Sequence, residues 1–597
     1  VKLINYGSTV LKTVTISWKI NGINQPVYNW SGALASGSDT LLNIGSATYQ
    51  KNTSYTIIAW TEQPNGIADD FVQNDTAFVS GLKTALKGIY TIGGVNSDYA
   101  TIPAVIQYLN TWGVCGPVTF AFRDGVYTGT FDFKKIRGDS SINTITFQSE
   151  KKDTATVSLK MEIPLPNAPD SYLIKLTQAQ YFIFSHLTFL AVDGVKNTVE
   201  IEKESSNIFF MNCHFINPKY SGIISCRESR TISFTDNVFE GSDIAVSIDL
   251  FSSNSIADIT ISNNTFENYR LTAIYSRGSK KIIILKNKFL NGEFAPYGTI
   301  DLYGHTGPII IEKNLISGKS NGISLYECHT DSLNPSSITN NMVNVEGDFG
   351  LSIQYVYQLH IFQNTINLNS VNNLSGAFSM YNCKDMINLN NIYSNLGKGY
   401  SYRTDGNEEI SDNNNFFSSG SKFILWSGMD LKTLSELQTQ SAQNDNSISV
   451  DPTYVNLNDL HIQTTNSFLN GTGSDKANIY VDFDDEHRNV PPDIGADEYN
   501  FTTGIPTITD DLMFTASPNP FSQQTTIHYR LTKSAFVKLE VYNGVGQLVN
   551  MLLQQKQQEG DYSFTFDSST SGLKNGLYFI KLNCDDMFSA LRVIKTN

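Results

Sequence analysis

The feature that most constrains this chain is a repeat. From LTFL and CHFIN through NVFEG, NTFEN, NKFLN, NLISG, NMVNV, NTINL and NIYSN to NNFFSS, ten short segments each centre on one large apolar residue. These residues are Phe189, Phe215, Phe239, Phe266, Phe289, Ile316, Val343, Ile366, Tyr393 and Phe417, at spacings of 26, 24, 27, 23, 27, 27, 23, 27 and 24. A period of this length, carried by short β-rich segments, predicts one coil of a parallel β-helix per repeat. Each coil buries its apolar residues by stacking on its neighbours. Two positions ahead of the last eight stands one residue type: Asn237, Asn264, Asn287, Asn314, Asn341, Asn364, Asn391 and Asn415. Asparagine tolerates the left-handed backbone of a sharp corner, and amides stacked one rung apart can bond into a ladder. The expectation is a structural asparagine ladder whose members also make the turn.

At 597 residues the chain is too long for one core and implies about three or four domains. Residues 1–82 alternate as a small β-sandwich, with Val14, Ile16 and Trp18 on one face and Asn21-Gly22 as a hairpin turn. The repeat occupies residues 88–500, and 501–510 reads as a linker. Residues 511–597 form another sandwich, in which Val537, Leu539 and Val541 alternate with Lys538 and Glu540. The open ends of a solenoid must be covered. Ile102, Val105, Ile106 and Leu109 form a helical stripe and Pro103 suits a first turn, which predicts a cap helix at about 100–110. Val1 lies inside a strand-like pattern with no initiator methionine or signal peptide, so the full protein is expected to continue upstream.

Three resemblances follow from these segments. Residues 1–82 resemble the adhesion-type immunoglobulin-like modules of secreted bacterial proteins, which implies a spacer with a clipped first strand. The cap stripe, PVTFAF, DGVYTG, Asp451-Pro452 and DIGADEY (Asp493 to Tyr499) resemble the pectin-lyase-like superfamily, which implies a right-handed parallel β-helix. That scaffold carries lyases, hydrolases, adhesins and spacers alike, so it leaves the chemistry open. At the C-terminus stand SPNPF (Ser517 to Phe521), YNGVGQLV, GLYFIKL and the basic Lys595. Their order is similar to the type A C-terminal sorting domain of the Bacteroidetes type IX secretion system. The sorting signal is then Pro518, Asn519, Pro520, Phe521, Gly544, Gly546, Gly576, Tyr578 and Lys595. This resemblance implies export across the outer membrane through the type IX translocon and its shuttle protein, to the medium or the cell surface. A net charge of −15 argues against nucleic acid, and no apolar run is long enough to span a membrane.

Candidate ligand residues come from strand alternation. Aligning GIISCR, AVSIDL, TAIYSRG, GTIDLYGH, NGISLYEC, GLSIQYVY and GAFSMYNC puts Ile223, Val246, Ile274, Ile300, Ile323, Leu351 or Ile353, and Phe378 inward. Asp249, Tyr275, Arg277, Asp301, Tyr303, Tyr326 and Tyr381 then face outward as one strip. Aromatic rings stack on sugar faces while Asp and Arg bond hydroxyls and carboxylates, so the strip suits an extended polysaccharide. It equally suits a solvated sheet in which Arg277 neutralises Asp249 and Asp301. A lyase or glycosidase is the alternative, and an adhesin or structural stalk a second one. For catalysis, Asp249 and Asp301 are marginally far apart. His305 and His329 read as corner residues. No cofactor is assigned; the run VDFDDEH (Val481 to His487) could hold Ca²⁺ but reads better as a solvated loop. The six cysteines show no metal spacing, and Cys328 and Cys383, two coils apart, are too distant for a disulfide.

Overall fold

The computed structural model describes the chain except residues 51–52, 162–170, 193–195, 218–221, 251–257, 294–296, 407–409, 467, 500–513, 532, 544–546, 570–572 and 585–586. The linker expected at 501–510, and Gly544 and Gly546 of the sorting signal, lie outside the described residues.

The N-terminal sandwich is built on the strand Leu11–Ile20, which pairs with Tyr28–Leu34 and Tyr55–Glu62. Its buried residues include Leu3, Leu11, Val14, Ile16 and Leu34. Asn21 and Gly22, at φ 44° and 82°, make the tight turn that twisted hairpin strands require.

The β-helix follows from Leu86 onward. Among the described residues, the coils contribute their strands to three sheets of 12, 13 and 13 strands, parallel throughout except for one antiparallel strand at the far end. One sheet, from Gly125–Thr128 to Asn415–Ser418, stacks the repeat's large apolar residues in register. Phe189, Phe215, Phe239, Phe266 and Phe289 lie parallel, with ring centroids 4.7 to 4.9 Å apart, the rung spacing of a β-sheet. The last coil corrects the repeat: Phe416, not Phe417, pairs with Tyr393 and is fully buried.

The ladder runs Asn237, Asn264, Asn287, Asn314, Asn341, Asn364, Asn391 and then Asn414 rather than Asn415. From Asn264 on, each Oδ1 accepts both the backbone N–H and the Nδ2 of the asparagine one coil earlier, at 2.9–3.2 Å, while Asn237 Oδ1 accepts the N–H of Cys213. Nδ2 also donates to a carbonyl of the preceding coil, as Asn264 does to Phe234 and Asn314 to Ile284. Buried amides therefore find partners on every rung, as burial demands. The ladder asparagines do not make the left-handed turn. The residue before each one does: Asp236, Asn263, Lys286, Lys313, Asn340, Gln363, Asn390 and Asn413, at φ 51° to 62°.

The first cap is the helix Ile102–Trp112, with Thr101 capping Ala104 N–H and Ile102, Val105 and Leu109 buried. The other end is covered by the antiparallel strand Met429–Leu431 on Ile424–Trp426, followed by the helix Leu434–Ser441 with a Thr433/Glu436 capping box. Residues 472–498 run back along the asparagine corner as a strap. Asn413 and Asn390 donate to the carbonyls of Thr472 and Ser474, and Asn340 donates to that of Val481. Lys313 and Lys286 both grip Asp485. The left-handed corner residues are thus the clasps of the strap. Its own fold is fixed by a buried Arg488–Glu498 pair at 3.3 Å, with Arg488 also donating to Asn340, Gly495 and Ala496.

Residues from Phe514 on form a second compact unit with its own core around Val537, Leu539, Val541, Ile580 and Leu582. Seven strands make a three-stranded and a four-stranded sheet. The first and last sorting motifs are one contact. Asn519 bonds Arg592 O and Ile594 N, the buried Phe521 donates its N–H to Ile594 O, and Lys595 Nζ donates to Ser522 O. Tyr578 donates its hydroxyl to Lys574 O, and Gly576 pairs with Lys595.

Candidate functional site

The outward residues of the sheet running from Phe131–Lys134 to Ile424–Trp426 form two parallel columns. One reads Ser225, Ser247, Tyr275, Asp301, Ser324, Ser352, Ser379 and Arg403. The other reads Arg227, Asp249, Arg277, Tyr303, Tyr326, Gln354 and Tyr381. The slot between the two columns holds Cys226, Ile248, Ser276, Leu302, Leu325, Ile353 and Met380, and the inward slot just before the first column holds Ile224, Val246, Ile274, Ile300, Ile323, Leu351 and Phe378. Ile224 replaces the expected Ile223 there, because GIISCR is apolar at both positions, and Ile223 is also buried.

The aromatic surface is continuous over four coils. Tyr303 and Tyr326 stack at 5.5 Å and 9°, and the Arg277 guanidinium sits 4.9 Å over Tyr303. Gln354 interrupts the column, but Tyr355 fills the gap, edge-on to Tyr326 at 5.5 Å and to Tyr381 at 5.7 Å. Strand alternation missed Tyr355 because it sits at a left-handed corner, φ 54°, outside the period of two.

A cleft lies at each end of this face. One, of about 390 Å³, is lined by Glu202, Lys203, Arg227, Glu228 and Asp249. The other, of about 660 Å³, includes Asp348, Gln354, Ser379, Tyr381, Arg403 and Asp405. Asp249 Oδ1, Ser379 Oγ, Arg403 Nε and Asp405 Oδ1 are buried without a hydrogen-bond partner, which native folds mostly avoid. Arg403 and Asp405 escaped the strand alignment, although YSYRT repeats its alternation one coil on.

Burial governs the acids. It pushes the Asp301 carboxyl up to about 6, against a hydrogen bond from Ser324. Burial also raises Asp249, opposed by Arg277 and Arg227 on the adjoining rungs. Arg277 therefore offsets Asp249 and leaves Asp301 to Ser324. His305 is a sealed corner residue: Nδ1 meets Ser279 Oγ at 2.7 Å and Nε2 meets Ser276 O at 3.0 Å, and burial holds it down at about 4, hence neutral. His329 bonds Tyr355 O and stacks on Tyr357. None of the six cysteines forms a disulfide.

The carboxylates of the acidic run at Val481 to His487 turn to different partners. Asp482 accepts the N–H groups of Asp484, Glu486 and Glu498, and Asp485 holds the two lysines.

Two stretches match family models. Residues 516–596 match the secretion system C-terminal sorting domain, and residues 178–373 match the family described as periplasmic copper-binding protein (NosD). Copper takes imidazole, thiolate and thioether ligands. In the matched stretch His305 is sealed, Cys213 and Cys328 direct Sγ at main-chain carbonyls, and Cys226 is fully buried. Among the described residues, the group of His, Cys, Asp or Glu close enough to share an ion lies outside it. Among the described residues of that stretch no three His, Cys, Asp or Glu side chains come together to share an ion.

No curated protein matches the chain. Similar solved structures include the A-module of the Azotobacter vinelandii mannuronan C-5 epimerase AlgE6 (11% identity, 59% of this chain and 94% of that one, TM-score 0.36). They also include PfbA, a surface adhesin of Streptococcus pneumoniae (14%, 55% and 89%, 0.36), and the catalytic unit of a GH87 alpha-1,3-glucanase from Streptomyces thermodiastaticus (10%, 72% and 89%, 0.28). Among the described residues no helix is long and apolar enough to cross a membrane. The chain joins a pectin-lyase-like parallel β-helix to a type IX C-terminal sorting domain, which marks it as cargo for export.

Proposed function

We propose that this cargo, taken up by the type IX translocon and its shuttle protein and delivered to the medium or the cell surface, holds an extended polysaccharide along the tyrosine face of its β-helix. The observation that carries the reading is the Tyr303–Tyr326 stack, with Arg277 on one side and Tyr355 and Tyr381 on the other. Rings stacked on one another at 5.5 Å turn their edges and hydroxyls outward as successive contacts of about one sugar residue each, and the two end clefts supply charged and hydroxyl groups for orientation. The apolar ring edges provide contact area while the hydroxyls and charged groups discriminate.

The hydrolase reading rests on Asp301, whose raised pKa suits a proton donor. Asp249 is its counterpart in the other column two coils away, at or beyond about 9.6 Å by rung spacing. That is the far margin for an inverting pair, so binding is the better-supported role. The test is affinity electrophoresis of the full chain through gels carrying neutral and acidic polysaccharides. Retardation by one of them, lost in Tyr303→Ala/Tyr326→Ala with an unchanged unfolding midpoint, is expected. Equal retardation of the double variant would leave the face a bare scaffold.

A further inference from the structure

A second cluster lies beside the strap, away from the tyrosine face. His461 stands on the strand Asp459–Ile462, and Asp484 and Asp497 on the strap that passes it. One ligand atom from each of His461, Asp484 and Asp497 lies within 4.8 Å of the others. Nε2 of His461 is 2.7 Å from Asp484 Oδ2, while the other ring nitrogen, Nδ1, bonds Asp459. That bond fixes the ring so that Nε2 is the nitrogen directed at Asp484, the carboxylate–histidine arrangement that orients metal ligands. Asp497 is 7% exposed, whereas Asp484 is open to solvent. Phe483 meets the imidazole edge-on at 6.2 Å, and Leu460, Met342 and Ala496 pack beside it, so one side of the cluster is dry. Without an ion Nε2 shares its proton with Asp484, and an ion that takes Nε2 displaces that proton.

We propose that His461, Asp484 and Asp497 form a binding site for a divalent first-row transition ion, with Asp459 as the residue that positions His461. The donor set selects the class. Calcium and magnesium take oxygen ligands, whereas one imidazole and two carboxylates suit zinc and its neighbours, with a further position left to water. An ion there ties the strap to the hairpin before it. The site is independent of the tyrosine face, and nothing in it depends on a polysaccharide.

Zinc chloride titrated calorimetrically into the chelator-washed full chain tests it. Saturable binding of one ion per chain is expected. His461→Gln and Asp497→Asn should each weaken it more than ~10-fold, as removal of a direct ligand must exceed the ~10-fold typical of an orienting residue such as Asp459 in Asp459→Asn. His329→Ala, on the other face, should leave it unchanged. Because Asp497 is buried and its variant could fail to fold, the unfolding midpoint is recorded with and without zinc. Zinc should raise it for the native chain and not for His461→Gln. Absence of saturable binding, undiminished binding by His461→Gln, or equal binding of calcium would each overturn the proposal.

Discussion

The two long edges of the β-helix are made of the same coils yet treat polar groups in opposite ways. At the asparagine corner every ladder amide is buried and bonded, and the residues just outside it are clasped by the strap. On the tyrosine face, Asp249, Ser379, Arg403 and Asp405 each keep a buried polar atom without a partner, and an acid is held far from its ordinary pKa. The ladder shows that the fold can satisfy a buried column completely, although Arg488 Nε in the strap is itself without a partner; four further departures gather on the face where ligand contact is proposed. Unsatisfied groups are expensive in a dry site, so the contrast locates function better than residue type alone.

The contrast can be broken first at the ladder. Asn314→Ala removes the acceptor for two groups of Asn287 and the donor to Ile284 and Asn341. It should cost about 3 kcal/mol or more, read from urea unfolding. A loss below about 1 kcal/mol would mean that the ladder decorates the corner instead of building it.

The strap comes next. Arg488→Met leaves Glu498 buried without its cation and should cost roughly 3 kcal/mol, with new protease cleavage confined to residues 472–498. Global unfolding with no local cleavage would show that strap and coils form one cooperative unit.

On the tyrosine face the sign reverses. Asp301 is raised, so the proton is bound more tightly in the folded chain. The stability that Asp301 contributes is full below about pH 4 and lost as pH rises through about 6. Asp301→Asn should therefore stabilise the protein at neutral pH, by about 1–2 kcal/mol, and lose that advantage near pH 4. The measurement is the unfolding midpoint across pH.

The smallest effect concerns Asp485, held down at about 2 by Lys286 and Lys313. Its contribution is present above about pH 4 and fades as pH falls through 2. Pepsin should begin to cut the strap in that window, and Asp485→Asn should be cut earlier. Identical digestion of the two chains would remove Asp485 from the clasp.

Much of the solenoid was legible because its period ties one slot to one residue type. The slot failed on the last rung, where Asn413, Asn414 and Asn415 are consecutive and identical side chains offer three registers. Burial of Phe416 decides it. The doubled asparagines also concealed a division of labour: in Asn263-Asn264, Asn340-Asn341 and Asn390-Asn391 the first residue turns and the second stacks. No local pattern distinguishes them. The strap could not be read at all, since its contacts join residues as far apart as Lys286 and Asp485. On the tyrosine face, alternation found the columns but not Tyr355, whose ring reaches the row from a corner.

The clasps have a consequence for how such a chain can change. Solenoids gain or lose coils by duplicating or deleting repeats, because each coil touches only its neighbours. Here the strap meets Asn413, Asn390, Asn340, Lys313 and Lys286 in order along the corner. Inserting one coil among them would displace every later clasp by one rung of about 4.8 Å, out of step with a segment of fixed length. The strap is a gauge: it counts the coils, and a chain that duplicates a repeat must lengthen its strap to match.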